Sequence, residues 1–238
     1  MILHTEITGN GAPLLFLHTA LQTGAVELED QREYFNQNYQ VILPDLRGHG
    51  KSVTENFNLN NYFQDSVSDL VETLDDLNVQ KVHLAGCSLG ALAALHFAKA
   101  RPDRVQSLML SGIIPERPDN WEDINEKENK NIAELLKDEE TAAYFDQLHD
   151  GDWRAVLQST EGNDWYPFDQ TKDLSDLHMP VLFIVGGDAD LETIGAVKYP
   201  KENENIHASI LPFAGHTVHL DQPELYNNIL DQFLKQVV

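Results

Sequence analysis

Five residues, Gly86-Cys87-Ser88-Leu89-Gly90, restrict this chain more than any other stretch. An apolar run, Val82-His83-Leu84-Ala85, precedes them and reads as a short buried strand. Behind them, Ala91 to Ala98 has strong helix propensity and no breaker. Strand, Gly-x-Ser-x-Gly and helix in succession describe a sharp reversal that lifts a serine hydroxyl above the edge of a sheet. The turn brings strand and helix so close that a Cβ at position 86 or 90 would collide, which explains the two glycines. The N–H of Leu89 opens the helix and points to where an oxyanion would form.

A serine hydroxyl is a weak nucleophile until a base takes its proton. Of the ten histidines, His216 is best placed, because Ala214-Gly215-His216 follows a strand-like run, Ala208 to Phe213. A histidine on a loop just past a strand can reach back over the sheet edge. His219 is the rival, but it opens an amphipathic stretch (Leu220, Leu225, Ile229, Leu230, Phe233, Leu234) and reads as a helix-start residue. A carboxylate must then fix the imidazole tautomer. Val181 to Val185 is an unbroken apolar run, a buried parallel strand by its pattern. It leads into Gly186-Gly187-Asp188-Ala189-Asp190, at the strand end where open α/β sheets carry their sites. Asp188, Asp190 and Glu192 all compete for the role. The order serine, acid, histidine differs from those of chymotrypsin and subtilisin.

With these motifs in hand, nearly the whole chain resembles the α/β-hydrolase superfamily. Leu14-Leu15-Phe16-Leu17-His18 resembles the strand into that family's His-Gly oxyanion loop, and Pro44 to Ser52 resembles its PDxRGxGxS turn. Gly86 to Gly90 matches the nucleophile elbow, Gly187-Asp188-Ala189-Asp190 the GxxD acid turn, and Ala214-Gly215-His216 the terminal histidine loop. The resemblance implies Ser88 as nucleophile, His216 as base and Asp190 as acid, with Asp188 the fallback. It implies oxyanion donors at Leu89 and at Ala20, two residues after His18. The family usually has glycine after that histidine, whereas this chain has Thr19, whose β-branch restricts the loop. His18, Asp45, Arg47 and His49 match no zinc spacing, and the family uses such residues to tie loops around the elbow.

At 238 residues the chain suffices for one α/β core. Its opening Met1 to Glu6 lacks the basic start and long apolar stretch of a signal peptide, and no apolar run is long enough to span a bilayer. The single cysteine, Cys87, cannot form an intrachain disulfide and reads as a small buried wall residue behind the turn, consistent with a cytoplasmic protein. With 16 Lys+Arg against 39 Asp+Glu the net charge is −23, which repels nucleic acid and anionic lipid.

Between the strand reading at Val105 to Gly112 and that at Val181 the β/α rhythm stops. The interval 115–179 is acidic with apolar residues at helical spacing, and in this family a helical insertion at that point caps the site. The expected layout is therefore a core of residues 1–114 and 180–238 with a helical cap at 115–179. All three tryptophans fall in that interval, so Trp121, Tyr144, Trp153 and Trp165 are the candidates to line an acyl pocket, though most would serve to fix cap to core.

The expected fold is α/β, a mostly parallel sheet flanked by helices. The expected function is a serine hydrolase, needing no cofactor and no metal, that cleaves an ester or similar activated acyl bond of a small, uncharged, partly apolar substrate. A monomer or homodimer acting on a small molecule, with neither nucleic acid nor membrane as partner, completes the expectation. The alternatives are a carbon–carbon bond hydrolase, lactonase, acyltransferase or perhydrolase/haloperoxidase-type enzyme, and, outside enzymes, a ligand-binding protein on the same fold.

Overall fold

The computed structural model describes residues 1–55, 57–160 and 165–237. The strands are β1 Thr5–Thr8, β2 Ala12–Leu17, β3 Tyr39–Pro44, β4 Val82–Cys87, β5 Val105–Ser111, β6 Val181–Gly186 and β7 Ile206–Leu211. They form one sheet in the order β1-β3-β2-β4-β5-β6-β7, antiparallel between β1 and β3 and parallel elsewhere. The helices are α1 Gly24–Glu27, α2 Glu29–Phe35, α3 Tyr62–Asp76, α4 Leu89–Ala100, α5 Trp121–Leu135, α6 Glu139–Leu148, α7 Trp153–Gln158, α8 Phe168–Thr171, α9 Asp190–Glu202, α10 Val218–Asp221 and α11 Pro223–Gln236.

The central strands are apolar on both faces, and their side chains alternate between two cores. Leu15 and Leu17 of β2, Leu84 of β4 and Phe183 and Val185 of β6 join the layer containing α3, α4 and α9. Leu14 and Phe16, Ala85, and Leu182 and Ile184 face the opposite layer, filled by Phe35 of α2 and Tyr226, Leu230 and Leu234 of α11. Helices α3 and α11, on opposite sides of the sheet, each bury one side. In α3 the buried residues Tyr62, Phe63, Ser66, Leu70, Thr73 and Leu74 recur at three- and four-residue steps. The alanine-rich α4 is buried on nearly all sides, as befits a helix pressed against the sheet and covered by its neighbours.

This order of strands locates the site. From β2 the chain moves outward to β3, and then returns to β4 on the other side of β2. The chain reverses direction in the sheet at β2/β4, and the loops leaving their C-terminal ends diverge to leave a crevice. One of those loops carries Thr19 and Ala20; the other is the turn at Ser88.

Between β5 and β6 the described residues form α5 to α8 and no strand. Residues 161–164 of the expected cap interval lie outside the described residues. A third, small core, Leu21, Phe145 and Trp153, joins α6 and α7 to the loop after β2.

Candidate active site

Ser88 stands at the end of β4 with φ 54° and ψ −119°, a strained conformation for a residue with a side chain. The turn around it is tightly packed. A Cβ on Gly86 would run into the backbone of Gly90, and one on Gly90 into the carbonyl oxygens of Leu17 and His18. The Ser88 N–H donates to Ser111 O at 2.9 Å, so the turn is also pinned to β5. Ser88 becomes the N-cap of α4, and Leu89 its first residue, whose N–H has no intrahelical acceptor.

His216 lies on the loop after β7. A Cβ built on Gly112, at the end of β5, would fall 2.9 Å from Ser88 N and 3.1 Å from His216 Cε1. Gly112 is thus the floor between the serine and the imidazole, with a φ of 68°. Nδ1 of His216 donates to Oε1 of Glu192 at 2.6 Å, leaving Nε2 as the nitrogen free to take a proton. Burial is the largest single influence and opposes a charge on this ring, but the Glu192 hydrogen bond, Cys87 and the Glu192 charge together outweigh it and raise the pKa to about 9.

The acid is where the sequence expectation is corrected. Asp190, expected on the imidazole, is an exposed residue at the first position of α9, and Asp188 is exposed in the preceding turn. Neither bonds to His216. Glu192, two residues farther on, is buried in the first turn of α9, where the helix dipole favours a carboxylate. Two residues turn the side-chain direction through about 200°, from solvent to the site. The extra methylene of glutamate then spans the remaining gap. Its second oxygen, Oε2, is buried without a hydrogen-bond partner among the described residues.

Ala20, Ser88 and Leu89 line one cavity of about 200 Å3. Phe57, Leu59, Tyr62, Ile132, Val156, Leu157 and Trp165 make it mainly apolar, and Asn125, Glu128, Asn129 and Thr160 add polar groups. Of the four aromatic candidates, only Trp165 borders it. Trp121 is packed edge-on against Tyr166 and Phe168. Trp153 is buried against Phe145 with its indole N–H donating to Asp146 at 2.9 Å, and Tyr144 is turned outward. The contributions of Phe57, Leu59 and Tyr62, from the approach to α3, had no signal in the sequence beyond their apolar character.

The loop residues His18, Asp45, Arg47 and His49 all have structural partners and do not border the cavity. His18 Nε2 accepts from Leu46 N–H at 2.8 Å, so Nδ1 carries the proton and donates to Thr19 O at 2.7 Å. Arg47 grips the buried Asp69 with two hydrogen bonds of 2.8 and 2.9 Å. Asp45 Oδ2 accepts from Lys51 N–H, and His49 Nδ1 donates to Arg47 O. His219, the rival base, is buried beneath the loop and faces Glu27. The described residues hold no cluster of side chains suited to a metal ion, and no helix among them is long and apolar enough to cross a membrane.

A strained serine at the C-terminal end of a parallel strand, with a Ser–acid–His chain order, defines a class of protein. The family model of the α/β hydrolase fold matches residues 12–166, and the chain belongs to that family. Over 253 aligned residues it is 25% identical to 3-oxoadipate enol-lactonase 1 of Acinetobacter baylyi, covering 99% of this chain and 94% of the relative. It is 32% identical to the proline iminopeptidase of Neisseria gonorrhoeae over 52% of this chain and 40% of that one. Among solved structures, NosK from Streptomyces actuosus superposes with a TM-score of 0.82 at 25% identity, covering 96% of this chain and 99% of NosK.

Proposed function

We propose that this chain is a serine hydrolase of small, uncharged, partly apolar esters, including cyclic ones. The observation that carries the reading is Ser88 at its strained turn with the Glu192-bound imidazole of His216 across Gly112. Nε2 of His216 takes the hydroxyl proton as Ser88 Oγ attacks the acyl carbon. The carbonyl π pair moves onto oxygen, and the N–H groups of Leu89 and Ala20 receive that oxyanion. Collapse expels the alcohol, which takes the proton from His216. Water, deprotonated by the same imidazole, then releases the acid and restores Ser88. Glu192 keeps the proton on Nδ1 and stabilises the imidazolium in both halves.

Cavity size and lining support the substrate class. About 200 Å3 lies below the usual range for drug-sized ligands, so the fit is to a short acyl chain. No Lys or Arg is among the described lining residues, and Glu128 adds a carboxylate. The enol-lactonase relative is named for a dicarboxylate-derived lactone. Here an anionic substrate would meet no counter-charge, so the shared element is lactone or ester opening rather than that substrate. Residues 115–179 serve in this reading as the cap, with α5, α7 and Trp165 roofing the acyl site.

The test is a series of p-nitrophenyl esters from acetyl to decanoyl, with parent and Ser88→Ala proteins. Hydrolysis peaking at short chains and lost by at least a thousandfold in Ser88→Ala supports the reading. Residual turnover within tenfold of the parent excludes Ser88 as nucleophile.

A further inference from the structure

We propose that Glu27 is a positioning residue that clamps Thr19 and thereby holds the adjoining Ala20 N–H on the oxyanion site, with buried His219 beside its carboxylate. The proposal rests on the reading of Ser88 as nucleophile and Ala20 as a donor. Glu27 ends the four-residue α1, an element too short to need a buried acid for its own stability. Its carboxylate takes two hydrogen bonds from one residue: Thr19 N–H to Oε2 at 2.7 Å and Thr19 Oγ1 to Oε1 at 2.7 Å. Both residues are buried. A buried carboxylate is costly unless it is paired and hydrogen-bonded. Here Nε2 of His219 sits 3.4 Å from Oε1. Burial opposes a charge on either group, yet His219 and the two Thr19 bonds lower the pKa of Glu27, and Cys87 and then Glu27 raise that of His219.

Covalent geometry links this clamp to the reaction. Thr19 C=O and Ala20 N–H belong to one rigid peptide plane, so whatever fixes the first aims the second. His18 Nδ1–H holds Thr19 O at 2.7 Å, and Glu27 fixes the same residue from its N–H and its hydroxyl. The turn continues with Gln22 N–H on Thr19 O at 3.3 Å and Leu21 at φ 62°, and His149 Nε2 donates to Leu21 O at 3.0 Å. That tautomer of His149 is set by Gly50 N–H, which donates to its Nδ1. Ala20 N–H itself makes no hydrogen bond among the described residues, while the polar groups around it are fastened. A threonine thus replaces the loop's usual glycine to advantage, since its hydroxyl gives the carboxylate a second hold.

The experiment compares Thr19→Val, Thr19→Ser and Glu27→Gln with the parent in the full chain. The readouts are kcat and KM on p-nitrophenyl acetate, inhibition by a simple alkylboronic acid whose tetrahedral adduct places an oxygen in the oxyanion site, and thermal midpoint. Removing a whole donor lowers kcat about 100- to 1,000-fold, so a misaimed one should cost about tenfold or more. Thr19→Val should lower kcat about tenfold with KM within about twofold, and weaken boronate binding in step. Thr19→Ser should keep most of the activity. Glu27→Gln should lower kcat at least as much as Thr19→Val; where it fails to fold, the Thr19 pair decides. Equal behaviour of Thr19→Val and Thr19→Ser, or a loss confined to KM, overturns the clamp. A parent protein whose Ser88 resists fluorophosphonate would instead overturn the nucleophile reading, while full Ser88 labelling with unchanged kcat in Thr19→Val defeats the clamp alone.

Discussion

The acid on His216 shows how much one helix boundary decides at the scale of a residue. Counting from Gly187 selects Asp190, and the distance along the chain is nearly right. The helix α9 nevertheless begins at Asp190, with Ala189 as a cap that lacks the usual Ser, Thr, Asp or Asn signal. Which of three nearby acids turns inward depends on that unmarked start, and it is Glu192. By contrast the placing of Ser88 at a strained turn and of His216 beside it was legible, because a strand, a two-glycine turn and an Ala-Gly-His loop are local patterns. Glu192→Gln should lower kcat about a thousandfold or more, as in other triads whose acid is neutralised, whereas Asp190→Asn should stay within about twofold. The pH profile adds a second readout. As the proposed base His216 must be neutral to act, so kcat/KM should rise with pH through a midpoint above the ordinary 6.5. Glu192→Gln removes the main raising partner, and the midpoint of its residual activity should move down. A profile unchanged by Glu192→Gln would separate Glu192 from the base.

Among the secondary-structure elements, the central strands could be read from their unbroken apolar runs and the helix after Ser88 from its propensity, but the faces of the segments between β5 and β6 could not. Trp121, Trp153 and Trp165 look alike in sequence; only packing tells that the first two fasten helices while the third meets the cavity. Trp165→Ala should therefore raise KM most for the longer acyl esters and leave kcat on acetyl esters nearly unchanged, the signature of lost uniform binding. Trp153→Ala should act differently. Its ring is 1% exposed, and its loss should cost about 3–5 kcal/mol of stability without shifting acyl preference. Calorimetry and a chain-length series on the two variants check both outcomes, and exchanged behaviour would reverse the assignment. The dense polar ties beneath the oxyanion loop were hidden for a related reason: His149 and His219 lie far along the chain from Thr19 and Glu27, and no spacing rule joins the four.

For the molecule as a whole, two electrostatic facts set the response to solvent. The net charge of −23 makes the folded state repel itself, so moderate NaCl should raise the melting temperature by screening. A fall in melting temperature with salt would show instead that the surface ion pairs dominate. The second fact is the set of buried and half-buried histidines kept neutral. Burial lowers the pKa of His18, His83, His96 and His149, and that of His49 to about 3, where burial and then the nearby His18 are the main causes. For each of these the unfolded chain binds a proton that the folded one refuses. Their contribution is present above pH 6.5 and is lost progressively as pH falls, for His49 down to about 3. His216 and His219 have the opposite sign: raised to about 9 and about 10, they favour folding below 6.5 and cease to do so as pH rises through those values. Denaturant midpoints between pH 4 and 10 should therefore form a broad dome, with a steep acid side.

The central claim is that Ser88 becomes covalently acylated, and trapping that bond tests it most directly. Parent protein treated with a small fluorophosphonate should gain one adduct by intact mass, and peptide mapping should place it on Ser88 of the Gly86–Gly90 turn, with no adduct in Ser88→Ala. A folded parent that takes up no label, or an adduct on any other residue with Ser88 unmodified, would contradict the account.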